Sequence, residues 1–159
     1  MTEKTPDTLT VGDAVPEFAA PNQDGQLITS KALLGTPYVL YFYPKDNTPG
    51  CTTEACDFQE KLTDYRGLGF TVIGVSRDSQ KSHQNFRAKY HLDFDLLSDT
   101  DEVLCRAFGV LKEKNMYGRK VFGIERSTFV VDKDGKLVGI FRGVKAKTHV
   151  EELLSRLKD

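Results

Sequence analysis

The chain has 159 residues, the size of one domain, with 39% hydrophobic residues, enough to bury a full core. Its 22 basic residues are interspersed with 23 acidic ones for a net charge of −1, which leaves no electrostatic footprint for nucleic acid, and no apolar run approaches membrane-spanning length. Three cysteines, a small and odd number, argue against a secreted disulfide scaffold, and residues 1–10 are polar rather than signal-like, so a cytoplasmic protein is expected.

Behind the polar tail, residues 18–29 read as a hairpin around Asn22-Gln23-Asp24-Gly25. Residues 38–43 form an apolar run that predicts a buried strand, 51–65 a helix ended by Gly67, and 70–75 a second buried strand. A helix is expected over 79–90 with Asp78 or Ser79 as its cap, then a short strand over 95–97. Residues 101–108 read as a short helix with acidic residues in its first turn and Gly109 at its end. Ser127 to Val131 and 136–142 make a hairpin across Lys133-Asp134-Gly135, and Thr148 caps a last helix with Val150, Leu153, Leu154 and Leu157 on one apolar face. Strand-helix-strand followed by strand-strand-helix is the thioredoxin-like order: an α/β fold, a central mixed sheet flanked by helices, with an N-terminal β-hairpin extension. One domain over residues 1–159 is expected, without repeats or linkers. Residues 112–122 stand apart, with Lys112, Lys114, Arg119 and Lys120 beside Met116 and Tyr117 and no clear periodicity. They read as a solvated loop crossing the sheet edge, or else as a flap or a docking patch for a reductant.

The chemistry concentrates after the first buried strand. Pro44-Lys45-Asp46-Asn47-Thr48-Pro49-Gly50 leads into Cys51 and, five residues on, Cys56. A strand feeding a turn-rich loop that opens into a helix places Cys51 at a helix N-terminus, where unpaired N–H groups favour an anion such as a thiolate. Bringing a thiol from about 8.5 to roughly 6 takes about 3.4 kcal/mol of preferential stabilisation of the thiolate, of which a helix terminus supplies up to ~2 kcal/mol. A hydroxyl and a guanidinium must supply the remainder. Thr48, three residues before Cys51, is the nearest hydroxyl, Pro44 and Pro49 stiffen the loop, and Gly50 permits close approach of the backbone. Lys45 reads as a solvated loop lysine. The same residues also suit an ordinary loop beside a small buried thiol, and at this level both readings stand. Cys51 and Cys56 on one ideal helix have Cα atoms about 8.7 Å apart, beyond the ~7 Å that a disulfide spans. A static structural disulfide is therefore not expected, whereas one that forms during turnover with unwinding of the first turn fits.

Pro44-x-x-x-Thr48-x-x-Cys51 matches the peroxiredoxin active-site pattern. The wider run from Tyr41 to Cys56 resembles the peroxiredoxin Q, or bacterioferritin-comigratory, branch, and the likeness extends from about Val11 to the C-terminus through Leu97-Ser98-Asp99, Ala107-Phe108-Gly109-Val110 and Arg126 to Gly135. The resemblance implies a thiol peroxidase, acting on hydrogen peroxide or an organic hydroperoxide, that needs no metal or organic cofactor. It makes Cys51 the peroxidatic cysteine and Cys56 the resolving one. Thr48 would bind peroxide and thiolate, Pro44 would shield the pocket, Arg126 would supply the guanidinium, and Glu54 would orient that arginine. Thioredoxin, possibly glutaredoxin, would be the reductant, and a monomer is expected. The stretch 79–90 has no cysteine, so Cys56 is the resolving candidate near the site.

Alternatives have their own signatures. A redox-sensing disulfide switch would use the same thiol pair, and a protein thiol–disulfide oxidoreductase normally uses Cys-x-x-Cys, a narrower spacing than this one. Cys51-x4-Cys56 lies at the loose edge of zinc-ligand spacing, with His83 and His91 too far apart for the usual second pair. A cysteine hydrolase needs a histidine base, and His83, His91 and His149 read as surface helix residues. Cys105, flanked by apolar positions, reads as a structural cysteine.

Overall fold

The computed structural model describes residues 9–159, so the tail expected at 1–10 lies largely outside the described residues. The chain enters through a short hairpin, β1 (Ala19–Pro21) and β2 (Leu27–Thr29). Its turn is set by Asn22, whose side-chain oxygen accepts the amides of Asp24 and Gln26, and by Gly25 at φ +80°. There follow β3 (Tyr38–Phe42), α1 (Pro49–Glu60), α2 (Leu62–Gly67), β4 (Thr71–Ser76), α3 (Gln80–Tyr90), β5 (Asp95–Ser98), α4 (Val103–Ala107), β6 (Leu111–Met116), β7 (Arg119–Ile124), β8 (Ser127–Val131), β9 (Leu137–Arg142) and α5 (His149–Lys158). The central sheet runs β5-β4-β3-β8-β9. β3 pairs in parallel with β4 and antiparallel with β8, so β3 lies in the middle of a mixed sheet buried on both faces.

Alternation along β3 feeds two cores. Val39, Tyr41 and Tyr43 pack with Cys51, Ala55 and Phe58 of α1, Leu62 and Tyr65 of α2, Phe86 of α3 and Val150, Leu153 and Leu154 of α5. Tyr38, Leu40 and Phe42 face the other way, against Leu104 and Cys105 of α4, Phe129, and Phe18 and Ala20 at the N-terminal hairpin. Because only residues 43–48 join β3 to α1, a central, fully buried strand fixes the origin of the loop that carries Thr48.

The expected elements are present, with four physical corrections. The helix read over 51–65 starts two residues earlier, with Pro49 at a position suited to its missing N–H, and breaks at Lys61, whose φ −96° and ψ 7° leave the helical region. The helix read over 101–108 shrinks to α4, with Glu102 in the left-handed region and no acid in its first turn; the carboxylate that accepts its leading amides is Asp99, which lies before it. Residues 112–122 form no loop: they make the antiparallel β6–β7 hairpin, whose mostly exposed strands have no buried face to impose an alternating pattern. His83 and His149 are buried, at 0% and 4% exposure, and only His91 is at the surface, capping the end of α3. Ser79 caps α3 through its side chain, while Thr148 precedes α5 without a side-chain cap bond.

Candidate active site

Thr48 is the N-cap of α1, Pro49 and Gly50 follow, and Cys51 is the third helical residue. That position turns its sulfur onto the buried face of the helix, where the residue is 2% exposed. Among the described residues no hydrogen-bond acceptor claims the Cys51 amide, and no side chain caps α1, so a partial positive charge remains beside the sulfur.

The second source of positive charge comes from across the sheet. Arg126 immediately precedes β8, whose Ser127 pairs with Phe42 at the end of β3, so the β3–β8 register brings residue 126 to the start of α1. Its Nη1 donates to Glu54 Oε1 at 2.7 Å and its Nη2 to Cys51 Sγ at 3.5 Å. Its carbonyl accepts the Val144 amide at 3.0 Å, which fixes the backbone behind the guanidinium. Gly50 leaves room for this approach: a β-carbon there would lie 3.1 Å from Nη2.

Glu54, one turn after Cys51, is fully buried, and its Oε2 has no hydrogen-bond partner. Burial pushes its carboxyl up to about 7, against the opposing pull of Arg126. Burial also works against the charge on Arg126, but Glu54 and Cys51 more than offset it, and the guanidinium's affinity for its proton is raised. Behind it, burial and then Arg126 depress His149 to about 4, so that ring stays neutral and adds no competing charge.

Thr48 and Pro44 lie in the connecting loop, both half-buried. The Thr48 hydroxyl donates to the Lys45 carbonyl at 2.8 Å, so its proton is directed to the loop backbone and not to the sulfur. Lys45 itself is exposed. Cys56 is half-buried on the same helix as Cys51, about 140° around its axis, and both thiols are free. Burial and the neighbouring Asp57 raise its pKa, which keeps it a thiol. Cys105 is buried and free, and burial together with Asp99 pushes its thiol well above the ordinary range.

The structure thus joins Cys51, Glu54 and Arg126 directly and places Thr48 at the cap of the same helix. It also shows a polar cluster that the sequence reading missed, in which Asp46 of the loop meets Tyr43, Ser82 and His83. The available signal was Asp46 itself, an acid inside a short loop between two buried elements.

Comparison with known proteins places the arrangement. The AhpC/TSA family model matches residues 11–140. The chain is 50% identical over 153 residues to the peroxiredoxin Bcp of Xanthomonas campestris pv. campestris, covering 92% of this chain and 96% of that one. Two solved structures from Xanthomonas campestris, a peroxiredoxin Q and a bacterioferritin comigratory protein studied for its alkyl peroxide reduction activity, each superpose with a TM-score of 0.87 at 48% identity, over 95% of this chain and 96% of theirs. With half its residues shared along nearly its whole length and a cysteine, an arginine and a helix start in one place, the chain belongs to the AhpC/TSA family, in its Bcp or peroxiredoxin Q branch of thiol peroxidases.

Proposed function

We propose that Cys51 reduces hydrogen peroxide and alkyl hydroperoxides and that Cys56 resolves the product as an intramolecular disulfide. The Cys51 thiolate attacks the O–O bond; sulfur takes one oxygen as a sulfenic acid and the other leaves, protonated, as water or an alcohol. The Cys56 thiol then attacks the sulfenic sulfur, releasing water and forming the disulfide, which an external dithiol reduces back to two thiols. Thioredoxin, or glutaredoxin, is the proposed reductant of a monomeric, single-domain, cytoplasmic enzyme.

The observation that carries this reading is the bridge from Glu54 through Arg126 to Cys51 Sγ at an uncapped helix start. It holds a permanent cation and an unclaimed amide where negative charge develops on the departing oxygen, a preorganised arrangement of the kind that lowers such barriers. Thr48, its hydroxyl donating to the Lys45 carbonyl, presents lone pairs to the peroxide O–H, and Pro44 shields the pocket.

Steady-state peroxide consumption with a thioredoxin system tests the assignment on wild type and two variants. Cys51→Ser abolishes turnover. Cys56→Ser still forms one sulfenic acid per chain but recycles poorly. Equal residual activity in the two variants contradicts the division of roles, and a wild type that reacts once and stops is a sensor rather than an enzyme.

A further inference from the structure

Asp46 and His83 lie 37 residues apart in sequence and meet in the interior, at 6% and 0% exposure. Asp46 sits in the loop between Pro44 and Thr48, and every contact it makes ties that loop to the rest of the protein. Its carboxylate accepts from Tyr43 Oη, from Ser82 Oγ at 2.8 Å and from His83 Nδ1 at 2.7 Å. Its amide donates to Asp78 Oδ2 at 2.8 Å, and that oxygen also accepts from Ser76 Oγ at 2.6 Å. The next residue, Asn47, takes the left-handed conformation at φ 59°, and its side-chain oxygen accepts from Lys89 Nζ and Tyr90 Oη at 3.2 and 3.1 Å. The loop is therefore fastened to α3 at two consecutive positions.

The hydrogen-bond inventory constrains the protons of the pair. On its other side His83 Nε2 meets the Leu97 carbonyl at 2.9 Å, and a carbonyl only accepts. Nδ1 faces the Asp46 carboxyl, which also accepts from the Tyr43 and Ser82 hydroxyls. Nε2 must then donate to Leu97, and one further proton is shared between Nδ1 and the Asp46 carboxyl, so the pair is satisfied on both sides in the interior. The facing donor atoms of Asp46, Asp78 and His83 lie within 4.8 Å of one another, but they are engaged in these hydrogen bonds.

We propose that the buried, hydrogen-bonded Asp46–His83 pair is a positioning device for the peroxidase reaction: it clamps the loop carrying Pro44 and Thr48 in the geometry that receives peroxide and resists the opening of the first turn of α1 that disulfide formation requires. The proposal rests on the assignment of Cys51 and Cys56 given above. The clamp acts on two steps in opposite directions. Loosening it misplaces the loop during peroxide attack, where an error of about 1 Å costs on the order of 100-fold. The same loosening makes unwinding before resolution easier. A residue that merely supports the fold has no reason to slow one step and spare or speed the next.

Rapid-mixing kinetics that separate sulfenic acid formation from disulfide formation supply the test, together with nitrogen-15 spectra of the wild-type histidines. The spectra are expected to show a proton on His83 Nε2, the nitrogen facing the Leu97 carbonyl; an unprotonated Nε2 overturns the hydrogen-bonded pair. His83→Leu is expected to slow sulfenic acid formation about tenfold or more while the disulfide step stays equal or accelerates. His83→Asn, which keeps a donor for Asp46, should recover most of that loss. Ser82→Ala, which removes a single neutral donor, should shift both steps in the same senses by a smaller factor and remains informative if His83→Leu does not fold. Unchanged rates in folded variants, or a parallel fall in both steps, overturn the clamp. If wild type forms sulfenic acid at Cys51 but no bond to Cys56, the resolving assignment fails, while the spectra and the first step still test the clamp.

Discussion

Cys51 and Cys105 occupy the same position in their helices, the third residue, and both are buried, at 2% and 0% exposure. Their surroundings have opposite sign. At α4 the leading amides of Leu104 and Cys105 donate to the Asp99 carboxylate at 3.0 and 2.8 Å, so an anion already occupies the helix start and faces the thiol. At α1 no side chain takes that place, and the group facing the sulfur is the Arg126 guanidinium. A helix start alone therefore does not set the charge that a thiol meets. What matters is which group takes the free amides and which charge remains beside the sulfur.

Stripping the cation from Cys51 is the strongest way to break this contrast. Arg126→Ala is expected to slow peroxide attack by about 100-fold or more, since it removes a donor aimed at the reacting atoms, and Thr48→Val should also slow it. Arg126→Lys should restore only part, because one ammonium cannot reach sulfur and Glu54 together as the planar fork does. Second-order rates within a factor of two of wild type would show that Arg126 is not the group that distinguishes the two thiols.

Oxidation should separate the two helix starts in a second way. A Cys51–Cys56 bond cannot form while their Cα atoms are about 8.7 Å apart on an intact helix, so residues 51–58 unwind. Amide hydrogen exchange should accelerate there in the oxidised protein and stay unchanged in α4. Unaltered protection of α1, with the bond confirmed by mass spectrometry, would contradict the mechanism.

Glu54 gives a stability effect with a definite sign. Its folded-state pKa of about 7 exceeds the model-peptide value of 4.5, so the folded protein binds this proton more tightly than the unfolded chain. Stability from this group is greatest below about pH 4.5, declines as pH rises, and reaches its full cost, on the order of 3 kcal/mol, above about pH 7. Urea titrations across this window should show a steeper decline for wild type than for Glu54→Gln; parallel curves would place the titration elsewhere.

The smallest effect belongs to the Cys105 side. Asp99→Ala removes the carboxylate from α4 and should cost about 1 to 2 kcal/mol in thermal or denaturant unfolding. Peroxide attack at Cys51 should not change. A comparable loss of activity would mean that the two helix starts are coupled.

The parts of this arrangement legible in sequence are those written locally. The apolar run before Pro44, the proline- and glycine-bearing loop and the helix after it place Cys51 at a helix start from consecutive residues alone. Arg126 needed the family pattern, because only the β3–β8 register brings it to α1, 75 residues away from Cys51. The pairing of Asp46 with His83 was illegible for the same reason: each is polar, and only tertiary contact explains their burial. The β6–β7 hairpin escaped because periodicity reports a buried face, which most of this ribbon lacks. The break at Lys61 has no proline or glycine to announce it.

Phe58 stacks on Tyr41 with ring centroids 4.5 Å apart, and Tyr41 stacks in turn on Tyr43 at 5.5 Å. Phe58 belongs to the stretch of α1 that the proposed disulfide would unwind, so on that mechanism these stacked rings are assembled in the reduced protein and would separate in the oxidised one. The chain contains no tryptophan, and nothing masks tyrosine emission and near-ultraviolet dichroism. The proposed cycle would thus have its own optical readout, visible in solution without a label.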